Sequence, residues 1–137
     1  MVDPADEPSQ HVPSQHVYVI VLRLAPAFAE NLARPGVMDA VARAAQAGCA
    51  PTAETLAALG VPADFASVFI ERLGYLLRLR DAGVLRAAGP FADLAEGLYV
   101  CNARDESEAR RVLEQDPLYR AGYIERDFSV RRWLAAI

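Results

Sequence analysis

Two charged residues stand where charges are costly. Arg72 opens the stretch "RLGYLLRLRDAG", whose apolar spacing is helical, and Asp116 lies directly before Pro117. With Phe65 set at zero and about 100° of rotation per residue, Phe69, Leu73, Leu76, Leu79 and Val68 fall on one arc, and Arg72 lands near its middle. Glu71, Arg78 and Asp81 fall outside that arc, while Arg80 reaches it only in the last turn, where its head can extend to water. A buried guanidinium needs a carboxylate, backbone carbonyls or a bound anion. Arg72 therefore reads either as half of a structural ion pair or as a pocket-lining anion anchor. Asp116 sits at a helix C-terminus, where the dipole disfavours an acid, and before a proline that pushes it out of helical geometry. Its simpler reading is a turn initiator.

Four other groups are candidates for lining a pocket. Tyr75 and Tyr123 offer hydroxyls, and His16 shares a strand face with Tyr18 and Ile20. Gly89-Pro90-Phe91 would end a strand and let backbone approach a ligand closely. The alternatives are core or interface for both tyrosines, a solvated strand entry for His16 and a tight strand-ending turn for Gly89-Pro90-Phe91.

These residues need elements to hold them. "VYVIVLRL" (17–24) is a strand, apolar on both faces, which calls for a second cover and hints at a dimer. Residues 26–62 are rich in alanine and broken by Pro and Gly; they read as an insertion with short helices near 37–47 and 52–59, forming a lid or side wall. A helix over 64–82 starts at an Asp64 cap and stops before Gly83. A strand at 84–88, a loop at 89–97 and a strand at 98–103 follow, then a helix opened by Asp105 and Glu108 and ended by Pro117. The alternation of "YIERDFSV" predicts a last strand over 123–130. The order is βαββαβ, an α+β, ferredoxin-like arrangement with a four-stranded antiparallel sheet.

Composition narrows the function classes. The chain has 137 residues and a net charge of −4, with 14 basic residues that are all arginine. That arginine bias, with abundant alanine, fits a GC-rich, bacterial genome. The densest basic cluster, Arg131-Arg132, is too small for a duplex-binding stripe, so nucleic acid is not expected. No apolar run approaches the roughly 20 residues that a membrane helix needs. Residues 1–15, with "SQHV" at 9–12 and again at 14–17, read as a disordered tail that is neither signal nor transit peptide, and residues 16–137 as one domain. Cys49 and Cys101 form no metal pattern and are expected free and buried in a cytoplasmic protein. The two histidines, His11 and His16, are too few for a histidine-rich metal site, and no phosphate-binding glycine motif suggests a cofactor.

One ordered set of residues carries a family likeness. The run from Leu73 and Tyr75-Leu76 through Leu79, Gly83, Leu85 and Gly89-Pro90-Phe91, then Ala109, Asp116-Pro117 and Ala121-Gly122, resembles the YCII-related family of the dimeric α/β-barrel superfamily. The likeness takes in the strand at 17–24 and residues 65 to 130. It implies homodimers whose sheets pack into a barrel, and metal-free acid–base chemistry on small aromatic or lactone-like compounds. It also implies a site made of a first-helix histidine and the aspartate of the Asp-Pro turn. Asp116 matches that aspartate, but Arg72 stands in the histidine's place. Arginine keeps its proton, so it can orient an anion or stabilise developing negative charge but is a poor base.

The expected function is thus a cofactor-free lyase or isomerase with Arg72 and Asp116 as its catalytic pair. A binding or accessory protein that has lost the family histidine is the alternative. A third reading is an interaction module using the helices of 26–62.

Overall fold

The computed structural model describes residues 15–136; the expected tail therefore lies, but for Gln15, outside the described residues. The sheet comprises β1 (His16–Arg23), β2 (Leu85–Pro90), β3 (Glu96–Ala103) and β4 (Ser129–Trp133). Their order across it is β2-β3-β1-β4, every neighbouring pair antiparallel. The helices are α1 (Pro26–Leu32), α2 (Val37–Gln46), α3 (Ala53–Ala58), α4 (Ala63–Asp81), α5 (Glu106–Glu114) and the single turn α6 (Pro117–Arg120). The architecture is α+β and compatible with a ferredoxin-like arrangement, with α1 to α3 inserted between the first strand and the first long helix. Among the described residues no helix is long and apolar enough to cross a membrane.

Strand periodicity decides which side chains reach the helices. Tyr18, Ile20 and Leu22 of β1 pair with Cys101, Tyr99 and Gly97 of β3, and all six are buried against the helical layer. α5 packs on β1, β3 and β4, and α4 on β2. The opposite face carries Val17, Val19, Val21, Leu98 and Val100, each only half-buried. Trp133, half-exposed at 51%, pairs with Val17 at its margin.

α4 is the element that positions the site. Phe65, Phe69, Arg72 and Leu76 are its buried seam, the i, i+4, i+7, i+11 stripe expected for a helix packed on one side. It ends in a Schellman motif: Gly83 adopts φ 77°, its N–H donates to Arg80 O at 3.0 Å, and the Val84 N–H donates to Leu79 O at 2.9 Å. Its start differs from the expected one. The helix begins at Ala63 behind Pro62, and Asp64 lies inside the first turn, its Oδ1 accepting from the Phe65 N–H at 2.8 Å.

α1 went unrecognised in an alanine-rich stretch, and an aromatic cluster explains its presence. Phe28 lies 5.9 Å from Phe65 and 6.3 Å from Phe69, Phe65 stacks on Phe69 at 5.3 Å, and Tyr123 meets Phe65 edge-on at 5.0 Å. The insertion is thereby pinned to α4 beside Arg72.

Two strand limits differ from the expected ones. β2 runs on to Pro90 and β3 begins at Glu96, so the expected loop over 89–97 is a tight turn with Leu94 in the left-handed region (φ 59°). The last strand is Ser129–Trp133 rather than 123–130. The apolar residues before it are spent on anchoring the connection. Ile124 bridges to Leu24, and Phe128 packs edge-on against Tyr119 at 5.6 Å with the Arg110 guanidinium over its ring. The strand then continues through Arg131 and Arg132, which an edge strand can expose on both flanks.

Candidate functional site

The buried polar centre contains three side chains from three elements. Arg72 comes from α4, Tyr99 from β3 and Asp116 from the turn between α5 and α6. Arg72 Nη2 donates to Tyr99 Oη at 2.6 Å, and Arg72 Nε is shared between Tyr99 Oη at 3.2 Å and Asp116 Oδ2 at 3.3 Å. The Tyr99 hydroxyl in turn donates to Asp116 Oδ2. Asp116 Oδ1 accepts from the Leu118 N–H at 2.8 Å, so Asp116 caps α6 with Pro117 in its first turn. That cap explains the Asp-Pro pair locally. The proline fixes the helix start, and the aspartate's second oxygen remains to meet the arginine.

Asp116 has no exposed surface, Tyr99 is 1% exposed and Arg72 8%. Every contact to the Asp116 carboxylate is a donor. Burial by itself would lower the Arg72 pKa, but Tyr99 and Asp116 outweigh it and hold the guanidinium above its ordinary value. Burial first, and then the Asp116 charge, raise the Tyr99 pKa even though Arg72 opposes them. Tyr99 thus keeps its proton, and the charge that neutralises Arg72 is that of Asp116. The guanidinium carbon sits 5.4 Å from the Phe28 ring centroid, a cation–π contact. It is 5.6 Å from the Tyr99 centroid, but a group hydrogen-bonded to the phenol oxygen approaches the ring's edge rather than its face, so that contact counts as a hydrogen bond.

Arg72 Nη1 makes no hydrogen bond among the described residues. The side chain lines a narrow cleft with Leu22, Leu24, Phe28, Gly89 and Pro90, with a volume of ≈ 10 Å³. That is room for about one water-sized group. The backbone pinch that narrows it is at Gly97: a Cβ there would lie 3.1 Å from Gly89 O and 3.5 Å from Pro90 Cα. Gly89 itself has nothing within 4 Å of such a Cβ, so the tight backbone contact here is between facing strands at Gly97 and is not the approach to a ligand expected at Gly89.

Of the candidate residues, the structure brings together Arg72, Asp116, Gly89 and Pro90. It places the others elsewhere. Tyr75 Oη donates to Val112 O at 2.7 Å, satisfying a carbonyl in the last turn of α5. Tyr123 lies in the aromatic cluster, and Phe91 is 43% exposed beyond the end of β2. His16 pairs with Ala103, four residues along β1 from the Ile20–Tyr99 pair, about 13 Å at the rise of a strand. It cannot reach Arg72. Cys49 is exposed, not buried as expected, while Cys101 is buried and both are free. Tyr99 was missed. Its inward direction follows from the alternation of "LYVCNA", but its pairing with Arg72 depends on register between elements 27 residues apart.

The tyrosine beside this centre makes alkaline stability a readout. Burial and then the Asp116 charge push the Tyr75 pKa from 10.0 up to about 12. The folded state therefore holds this proton more tightly than the unfolded one. The stabilisation is complete below the unfolded value of 10.0 and is lost as the pH rises through about 12. In urea titrations the midpoint of the wild type should fall more steeply across that window than the midpoint of Tyr75→Phe. Parallel slopes would refute the assignment.

A model of the YCII-related domain matches residues 65–134. β1 lies outside that range, beyond the insertion, although the likeness seen in the sequence took it in. No curated protein matches the chain. The match runs from the buried seam of α4 through the Asp116 turn to the edge strand, and on that ground the chain belongs to the YCII-related family.

Proposed function

We propose that this chain is a cofactor-free, homodimeric small-molecule binding or accessory protein, in which Arg72 meets the anionic end of an aromatic or lactone-like metabolite and family-type acid–base catalysis has been given up. The observation that supports this most is the saturation of the polar centre. Arg72, in the place of the family's histidine, is held protonated. Tyr99 keeps its proton, and both oxygens of Asp116 are taken by donors. No described group at the cleft both faces it and exchanges a proton near neutral pH. Arg72 lines the cleft, and its Nη1 has no hydrogen bond among the described residues. A guanidinium suits a carboxylate or enolate oxygen, and the cleft must widen for anything larger than a single oxygen to reach it.

The lyase or isomerase reading draws on the same geometry, since a fixed guanidinium stabilises a developing enolate. In that case the proton must be moved by a residue that binding brings in. A panel of aromatic acids, phenols and lactones separates the two readings, with melting temperature and turnover followed on wild type, Arg72→Lys and Arg72→His. The expected result is stabilisation of the wild type by at least one anionic compound without conversion. Turnover by the wild type that disappears in a folded Arg72→Lys would overturn the binding reading.

The dimer is supported by the apolar outer sheet face, which the helices leave half-exposed. Two such faces pack about 10 Å apart to close a barrel. Val19 lies on a central strand of that face. Sedimentation should give a dimer for the wild type and a monomer for Val19→Arg. A wild-type monomer at micromolar concentration would refute the pairing. The free thiols fit a reducing, cytoplasmic compartment, and the small basic cluster at Arg131-Arg132 leaves nucleic acid outside the proposal.

A further inference from the structure

A second cavity lies where the insertion meets the edge of the sheet. Its volume is ≈ 180 Å³, and Leu73, Leu76 and Leu77 of α4, Leu85 of β2 and Val41 of α2 supply much of its lining. No residue lines both this cavity and the Arg72 cleft. An apolar cavity of ~150 Å³ takes a benzene-sized group, so the space suits a small ring or a short alkyl chain. The polar groups of its lining are one-sided in charge. Arg80 and Arg86 contribute to it, and no carboxylate does. Arg86 makes no ion pair among the described residues, and Arg80 has only the exposed Asp81 at 3.4 Å, a weak competitor. Cys49 completes the lining on the insertion side.

We propose that this cavity is a binding site for a small amphipathic carboxylate, with the apolar body among the leucines of α4 and the carboxylate at Arg80 and Arg86. An apolar interior with cationic groups selects for a molecule that is greasy at one end and anionic at the other. Residues 37–49 are then the wall of a ligand pocket, and the insertion's contribution is to specificity. The inference shares with the preceding section the reading of the chain as a small-molecule protein, but its site is a different one.

Cys49 is a built-in reporter. It is exposed, whereas burial and then Glu108 push the Cys101 thiol up to about 11 and leave it unreactive. The experiment follows alkylation of Cys49 by iodoacetamide in the full-length protein, with octanoate as the probe and octanol as its uncharged control. Octanoate at ten times its Kd should slow labelling about tenfold, and octanol at equal concentration should not. Ala45→Phe, which fills the cavity from α2, should abolish the protection, with Leu77→Phe as the substitute if that variant does not fold. Arg80→Gln with Arg86→Gln should erase the difference between acid and alcohol. The proposal is overturned if octanoate leaves the rate unchanged or if octanol protects equally. It is also overturned if protection follows protein concentration without ligand, which would mean that a second copy covers the cavity. Turnover at the Arg72 cleft would leave these readouts untouched, so the two proposals fail separately.

Discussion

A guanidinium inside the helical layer is the constraint around which the rest is arranged. An unpaired charge at that depth costs several kcal/mol. Arg72 is tolerated only because β3 brings Tyr99 and the α5–α6 turn brings Asp116 to meet it. The three elements must therefore arrive in one register. A one-residue slip of β3 against β1 would turn Tyr99 to the outer face and leave the arginine with half its partners. A buried ion pair roughly offsets its own desolvation, so the centre adds little net stability, whereas losing one partner would leave an uncompensated buried charge.

The same constraint limits chemistry. Proton transfer needs a group that can both reach the substrate and change its charge near the working pH. Arg72 reaches the cleft but stays charged, and Asp116 lies behind it with its oxygens occupied. Arginine keeps its proton, so the residue at the middle of this centre is suited to holding charge in place rather than to moving protons. The aromatic cluster extends this logic to the insertion. Phe28 reaches from α1 to cover the guanidinium, so the added helices are tied to the polar centre at one end and wall the second cavity at the other.

The fold was legible wherever one periodicity dominated. β1, the buried stripe of α4 with Arg72 on it, and the Asp105 cap of α5 follow from spacing and residue type. The last strand was displaced because Ile124 and Phe128 alternate like strand residues while serving as anchors for a connection. Arg72 and Asp116 were readable as misplaced charges. Tyr99 was not, because a tyrosine on an inward strand face looks like core until the register shows what lies opposite. Gly97 escaped for a related reason: what identifies it is the backbone of the facing strand, which no local pattern reveals.

The most direct test of the central claim is a double-mutant cycle on Arg72→Met and Asp116→Asn, read by urea unfolding. If the pair is one coupled lock, each single variant loses about 3–5 kcal/mol, and the double variant loses less than the sum by roughly 2 kcal/mol or more. Single losses that are small and add to within about 0.5 kcal/mol in the double variant would contradict the account, and Arg72 would be a dispensable charge rather than the centre of the structure.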